Sequence, residues 1–577
     1  MNRACIAILA VVALGVAGCS SAGESGVLRG LSAQVPTSGP IEQGDQVASS
    51  DTNQFIRVIA SPPTPGMTAL QIVQGFLESS ASFDGNHAVA RQYLTPQASQ
   101  DWDPGAGVRV YEGNPTLTES GPTVRMVGSE VGRIAADGRY EVALPGSEMR
   151  LRFALARVNG EIRIASAPDG LLLSQVDVDR AFRSHALYFF NPGFTSLVPD
   201  VRMVPVIGPG LATTLVRRLI DGPNPWLQPA VRTGFPAGVD LNIEAVPVDG
   251  GIARVDLTAS ALVSDPPARV ALSQQLVWTL RQVPEVQSVS ITAGGQPFIV
   301  PGVQNPQPRD AWPDVDPDAL EPGARGFVAT SVGVRELFLQ GTRAVPGAAG
   351  GDDPVIGDIA VSSDSGQVAG FDIDGVLYTA RLAGGAPLIE RGSYPGATSV
   401  AFDGETVLWV VDSDNSLIVI GNEPRAIVVD GLPRNARLVA AVPSRDGTRA
   451  ALIVRESQRS TVMVARIVRT GPAEGGPIAV EAPIRVENRL AEAVDVAWSG
   501  SDSLAVLGSE SAGSLQVYDV AIGRGSLAGR GTPEAPISVA AAPGLPTLVA
   551  AADGVVYDNS GVGWQGRANA SSPTYPN

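Results

Sequence analysis

Two spacings of apolar residues run through this chain, a helical one and a strict alternation, and the switches between them mark its organisation. An unbroken apolar run from Ala4 to Leu14 comes first. It is too short for a bilayer-spanning helix, which needs about 20 residues. From Ser20 to Asn53 no period holds, and Ser, Gly, Gln, Pro and Asp give the composition of a flexible tether. Pro62, Pro63 and Pro65 then stop the chain, and Thr68 fits an N-cap for a helix carrying Leu70, Val73, Phe76 and Leu77. A shorter helix is predicted around His87 to Leu94, ending near Pro96. Alternation takes over in Val108–Val110, Val124–Val127, Tyr140–Val142, Leu151–Leu155 and Ile162–Ile164, with Asn159-Gly160 centring a hairpin. Helices followed by a curved antiparallel sheet predict an α+β cone over residues 55–185.

This order resembles the cystatin-like and nuclear-transport-factor-like superfold, an analogy that says little about function. A second α+β unit is predicted over residues 186–300. Tyr188-Phe189-Phe190 opens a strand that continues, after a turn, in Leu197 to Arg202. Leu211, Leu215 and Leu219 lie four apart on a helix closed by Gly222-Pro223. Leu241–Val246 is predicted to pair with Ile252–Leu257; a helix with Leu272, Leu276 and Leu280 on one face follows, and Val286–Ile291 closes the sheet. The opening aromatic strand, Leu197–Arg202, Leu219–Pro223, Val255-Asp256-Leu257 and the Gln274–Leu280 helix resemble the GerMN domain of sporulation and germination proteins. That resemblance implies an envelope-associated, extracytoplasmic setting.

The third unit, residues 327–577, repeats itself. Strand starts recur at Ile359, Ser399, Leu438, Val494 and Ile537, about 40 residues apart except for one longer interval. Each start is followed by a polar turn and further apolar strands, as in Gln367–Phe371 and Val376–Tyr378. A period of 40–45 residues predicts propeller blades, five or six of them. Val328–Leu339 supplies strands that close the ring, and Asp374-Gly375, Asp446-Gly447 and Asp553-Gly554 mark turns. A pair of β-sandwiches is the competing architecture. Residues 301–326 form a stiff, Pro- and Asp-rich connector.

Composition narrows the chemistry. The chain has 577 residues, 41 basic and 58 acidic groups, and a net charge of −17; every basic residue is Arg. With no basic stripe, nucleic acid is excluded as a partner. The two Cys, Cys5 and Cys19, lie in the first twenty residues, so the body carries no disulfide or cysteine-based metal site. His87 and His185 are too few and too far apart for a zinc site or a nucleophilic triad. Asp314, Asp316 and Asp318 alternate like calcium ligands, but Ala319 and Arg325 stand where an EF-hand needs Gly and Glu. Gly561–Gly566 spells a dinucleotide fingerprint with no room for its helix, and Gly523–Ala528 matches loosely inside a blade; both read as turns. Asp200, Arg202 and Asp256 are the obvious polar residues of the second unit and read as braces. No enzyme activity, cofactor or metal is expected.

The N-terminus gives the sharpest motif. Met1-Asn2-Arg3 is a positive n-region, Ala4–Leu14 an h-region, and Val16-Ala17-Gly18-Cys19 a bacterial lipobox. Cleavage after residue 18 leaves the Cys19 thiol for a diacylglycerol and its amine for a further acyl chain. Two or more chains suffice for a stable anchor. The expected organisation is a signal peptide (1–18), a lipidated tether (19–54), the three folded units and the connector.

A lipobox, a tether, an α+β unit containing Asp169-Gly170-Leu171-Leu172-Leu173-Ser174, a GerMN-like domain and a C-terminal propeller resemble, in that order, the actinobacterial LpqB lipoprotein family. The resemblance covers essentially the whole chain. It implies a membrane-anchored protein on the extracytoplasmic face, associated with the MtrA–MtrB two-component system. Its expected partner is the extracytoplasmic domain of the MtrB-like sensor histidine kinase, with effects on envelope properties and cell division. Cys19 is the one functional residue carried over. The alternatives are an envelope hydrolase or glycan-binding module, and a solute-binding lipoprotein with a pocket in the N-terminal cone.

Overall fold

The computed structural model describes residues 60–83, 85–206, 210–351, 354–404, 406–470, 477–511 and 513–577. The lipobox and Cys19 lie outside them.

In the first lobe Thr68 begins α1 (Ala69–Ser80) with a reciprocal capping box, its hydroxyl accepting from Gln71 N while the Gln71 side chain accepts from Thr68 N. Two short helices, α2 (Ala88–Gln92) and α3 (Pro96–Asp101), complete the helical side. The sheet comprises β1 (Gly107–Ser120), β2 (Thr123–Ala135), β3 (Tyr140–Val142), β4 (Glu148–Val158), β5 (Glu161–Ser166) and β6 (Leu171–Ser174), with path β5-β4-β2-β1-β6 and β3 beside β2. Register shifts at Val110/Tyr111 and Glu112/Thr116 bend β1, as bulges do. Phe76, Tyr93, Trp102, Met126, Met149 and Phe153 are buried against one another inside the curl. The interior is therefore packed with side chains. α3 and β6, absent from the sequence pattern, are too short to show a period.

Ser174 caps α4 (Gln175–Ala181), which runs straight into β7 (Phe182–Phe190). This strand pairs antiparallel along its whole length with β8 (Leu197–Pro205), so the stretch expected to continue it after a turn folds back on it as a hairpin. The rest of the second lobe holds α5 (Leu211–Asp221), β9 (Val248–Asp249), β10 (Ile252–Leu257), α6 (Pro266–Leu280) and β11 (Ser288–Ala293). β10 and β11 are parallel neighbours, so α6 is their crossover. Leu241–Val246 is not the predicted strand: a single bridge joins Leu241 to Leu257. Beyond Asn242 N, which donates to Asp256 O of β10, its amides go elsewhere, Val246 N to the Thr213 hydroxyl of α5 and Ala245 N to Ile243 O. The connector is fastened down rather than spanning freely. Gln307 is buried and accepts from Ser273 Oγ and Trp312 Nε1, while Val315 joins Phe190, Leu197 and Trp278.

Among the described residues, six four- or five-stranded sheets form the blades, antiparallel except where the short Val429–Asp430 strand pairs parallel with Ile478–Arg485 in blade four. Their inner strands are, from blade one to blade six, Ser571–Thr574, Gly357–Val361, Ser399–Phe402, Arg437–Pro443, Glu492–Gly500 and Pro536–Ala540. Each packs on the next around the ring. Blade one is shared between the ends of the propeller segment: Phe327–Thr330 pairs with both Gly333–Leu337 and Ser571–Thr574, closing the circle. The long interval in the repeat is blade four, whose three outer main strands run to 8, 11 and 8 residues.

Candidate functional site

Strand direction gives the propeller two faces. Turns from each inner strand to the second, and from the third to the fourth, lie on one face; the remaining turns lie on the other. The first set carries the other lobes. Asn191 Nδ2 at the β7–β8 turn donates to Asp446 O (3.4 Å), and Ser501 N in blade five donates to Asp318 Oδ1 (2.6 Å). Gly523 lies against Val201 and Gly525 against Tyr140. Both glycines have positive φ, and a Cβ on Gly523 would stand 2.9 Å from that of Val201. The Gly523–Ala528 motif is thus a lobe contact, not a phosphate loop. Trp226, which follows α5, donates from Nε1 to Ala482 O (2.6 Å) and accepts at its carbonyl from Arg466 Nη1 (2.7 Å). The second set also reaches the lobes at the rim, where Asn488, in the turn from blade four to blade five, donates from Nδ2 to Ala143 O (3.1 Å). Neither Trp226 nor Asn488 was singled out by sequence, though a Trp in the loop Gly222-Pro223-Asn224-Pro225-Trp226 was a usable signal.

The other sequence candidates serve the frame. Asp200 and Arg202 are a buried bidentate pair (2.9 and 2.7 Å), and Asn224 donates twice to the same carboxylate. Arg202 Nη1 also reaches Asp137 O, tying the second lobe to the first. Asp256 accepts from Asn242, Thr292 and Gly295, which together outweigh its desolvation and hold it below the usual carboxylate range. Asp316 caps Asp318 N; burial pushes Asp318 up, and its oxygens face Ser501. His87 sits between Phe83 and Trp102, while His185 lies on β7 opposite Arg202, in a different lobe. Burial first, then neighbouring Arg side chains, lowers both. Gly561–Gly566 turns between two outer strands of blade six.

Two cavities bear on these contacts and on the propeller's axis. One of about 810 Å³ lies where the lobes meet, bounded by Glu130, Tyr140, Met203, Arg489 and Arg524. Its charges pair across its walls, Glu130 with Arg109 and Arg133, Arg489 with Glu510, and Arg524 with Asp502. The other, about 300 Å³, is the propeller's central channel. On the lobe-bearing face its floor is sealed. Asn577 donates to Phe402 O (3.2 Å) and Pro443 O (2.8 Å), and Arg445 holds Pro576 O and Ala319 O. The opposite end is lined by Asp358, Ser399, Asp495, Ser538 and Ser572. Asp495 accepts from Val496 N and Val539 N, both at 2.8 Å; burial, with Asp358 adding, pushes it up to about 6.

Three family descriptions match consecutive stretches: the LpqB lipoprotein N-terminal domain over residues 62–179, a sporulation and spore germination domain over 186–298, and the LpqB lipoprotein beta-propeller domain over 334–576. A lipoprotein LpqB from Thermobifida fusca is 31% identical over 100% of this chain and 98% of its own length. Lipoproteins LpqB from Streptomyces coelicolor (27%, covering 97% and 96%) and Mycolicibacterium smegmatis (30%, covering 80% and 83%) are similar too. Among solved structures, a nidogen/laminin complex is 15% identical over 44% of this chain and 98% of that one, with a TM-score of 0.33. TolB from Acinetobacter baumannii is 12% identical over 44% and 66%, also at 0.33. The fold rests on the six blades themselves. From full-length identity and three domains matched in order, the chain belongs to the LpqB lipoprotein family.

Proposed function

We propose that this protein is an extracytoplasmic accessory subunit, anchored through lipid on Cys19, that contacts the extracytoplasmic domain of an MtrB-like sensor histidine kinase. Through that MtrA–MtrB-type system it influences envelope homeostasis and cell division. One observation carries the reading: two lobes are fastened to one face of a propeller, leaving a broad rigid face free for a partner. Among the described residues no helix is long and apolar enough to cross a membrane, which fits attachment through lipid. The first lobe's interior is filled by Phe76, Trp102 and Phe153, which disfavours a solute chamber there.

An anchor confines both molecules to one membrane, so their effective concentration is high and modest contacts suffice. Regulation then needs only tighter binding to one kinase state than to another. The test is binding of the soluble chain, from Ser20 onward, to the purified kinase domain, repeated with full-length partners in nanodiscs. Saturable micromolar binding supports the reading; none in either format removes it. Cys19→Ser is expected to move the protein from membrane to soluble fractions.

A further inference from the structure

The face of the propeller away from the lobes surrounds the open mouth of a blind channel, and the chemistry of that mouth is one-sided. Asp358 and Asp495 stand on its wall, and among the described residues no basic side chain lines the cavity. Both carboxylates are fixed in place. Asp495 is held by two backbone N–H groups, and Asp358 accepts from Ser572 Oγ (3.0 Å) while its own N–H donates back to it (3.1 Å). On the same face, outside the mouth, blades two and three repeat one turn between their second and third strands. Asp372-Ile373-Asp374 and Asp412-Ser413-Asp414 share the same pattern of exposure. In each turn carboxylates accept backbone N–H groups, Asp372 from Val376 and Asp414 from Ser416. Ile373 at the tip is 98% exposed. The basic residues of this face stand elsewhere, such as Arg437 at the start of the blade-four inner strand.

We propose that the open face, at blades two and three, docks a basic extended segment of a partner protein, one Arg or Lys side chain of which enters the channel toward Asp358 and Asp495. The partner's identity, though not its chemistry, rests on the accessory reading above. A cation is the occupant because two carboxylates face the mouth and, among the described residues, no basic side chain lines it, which favours a positive charge. An organic cation fits better than a metal ion, since among the described residues no three acid, His or Cys side chains gather as ligands. The channel walls of Ile359, Val400 and Val539 suit the aliphatic stem of such a side chain, and Ile373 offers an apolar contact beside the acidic rim. Entry is from this face, because Asn577 and Arg445 close the other end.

The probe is a labelled nine-residue peptide of Arg, Gly and Leu, titrated by fluorescence anisotropy into the chain from Ser20 onward at pH 7.5. A peptide with Glu in place of Arg is the control. Saturable binding of the Arg peptide is expected, weakened about five- to tenfold by Asp495→Asn or Asp358→Asn and about twofold by Asp374→Asn. Equal binding of the Glu peptide, no binding of the Arg peptide, or affinity unchanged in both channel variants overturns the proposal. If Asp495→Asn fails to fold, Asp358→Asn decides, because Asp358 is exposed and Asn tolerates its left-handed backbone. The kinase domain is titrated in parallel. If it binds wild type and both channel variants alike, the proposal falls and the accessory reading stands. If the peptide behaves as expected and the kinase domain never binds, the proposal stands and the kinase reading falls.

Discussion

The propeller's two faces are made from the same strands, yet one is welded to the lobes and the other, at blades two and three, is bare. On the lobe-bearing face the turns end in buried charge. Arg449 holds Asp446 at 2.5 Å and lies over the Trp498 ring, and Arg469 holds Asp403 at 2.7 Å. On the open face the turns of blades two and three bond chiefly to their own backbone. A repeated blade thus supplies structure at one end and leaves the other end for contact with something else. Substitutions that are costly on one face should be nearly silent on the other.

The largest effect is expected for Asp446→Asn. It strands a buried guanidinium, at a cost of about 3–5 kcal/mol, read by urea unfolding. Burial alone raises Asp446, but Arg449 and Thr448 outweigh it and hold the carboxyl below its usual range. That stabilisation is present above the ordinary carboxylate pKa and lost as pH falls through the lowered folded value. The gap in Tm between wild type and variant should therefore stay level from pH 5 to 8 and narrow below about pH 4. Trp226→Ala comes next, at about 2–3 kcal/mol. Because Trp226 bridges the second lobe and blade four, calorimetry should resolve one broad transition into two. Asn577→Ala removes two hydrogen bonds across the channel floor, and about 1 kcal/mol is expected. Ile373→Ser and Asp374→Asn, on the bare face, should stay within about 0.5 kcal/mol of wild type. A loss as large as that of Trp226→Ala there would erase the contrast between the faces.

How much could be read in advance depends on how far apart the interacting residues are. Thr68 and Gln71 cap their own helix, and Asn159-Gly160 turns its own hairpin with both φ values positive. Blade spacing is equally visible, because each blade buries its own apolar strands. Leu241–Val246 misled, since alternation there matched a strand while Thr213, on helix α5, took the Val246 amide. Asp200 and Arg202 were correctly read as braces, but their partner Asn224 was out of view. The channel mouth was out of view as well: Asp358 and Asp495 belong to blades two and five and meet only when the ring closes.

By itself the sequence determined the anchor motif, the order of three units and the blade period, because each depends on residues within a few turns of chain. Tertiary structure alone decided the count of six blades, the welding of both lobes to one face, the sealed floor and the carboxylates at the open mouth. These depend on groups brought together across long separations, such as Asn191 and Asp446, 255 positions apart. No local pattern encodes that distance, because burial and pairing there are properties of the closed ring.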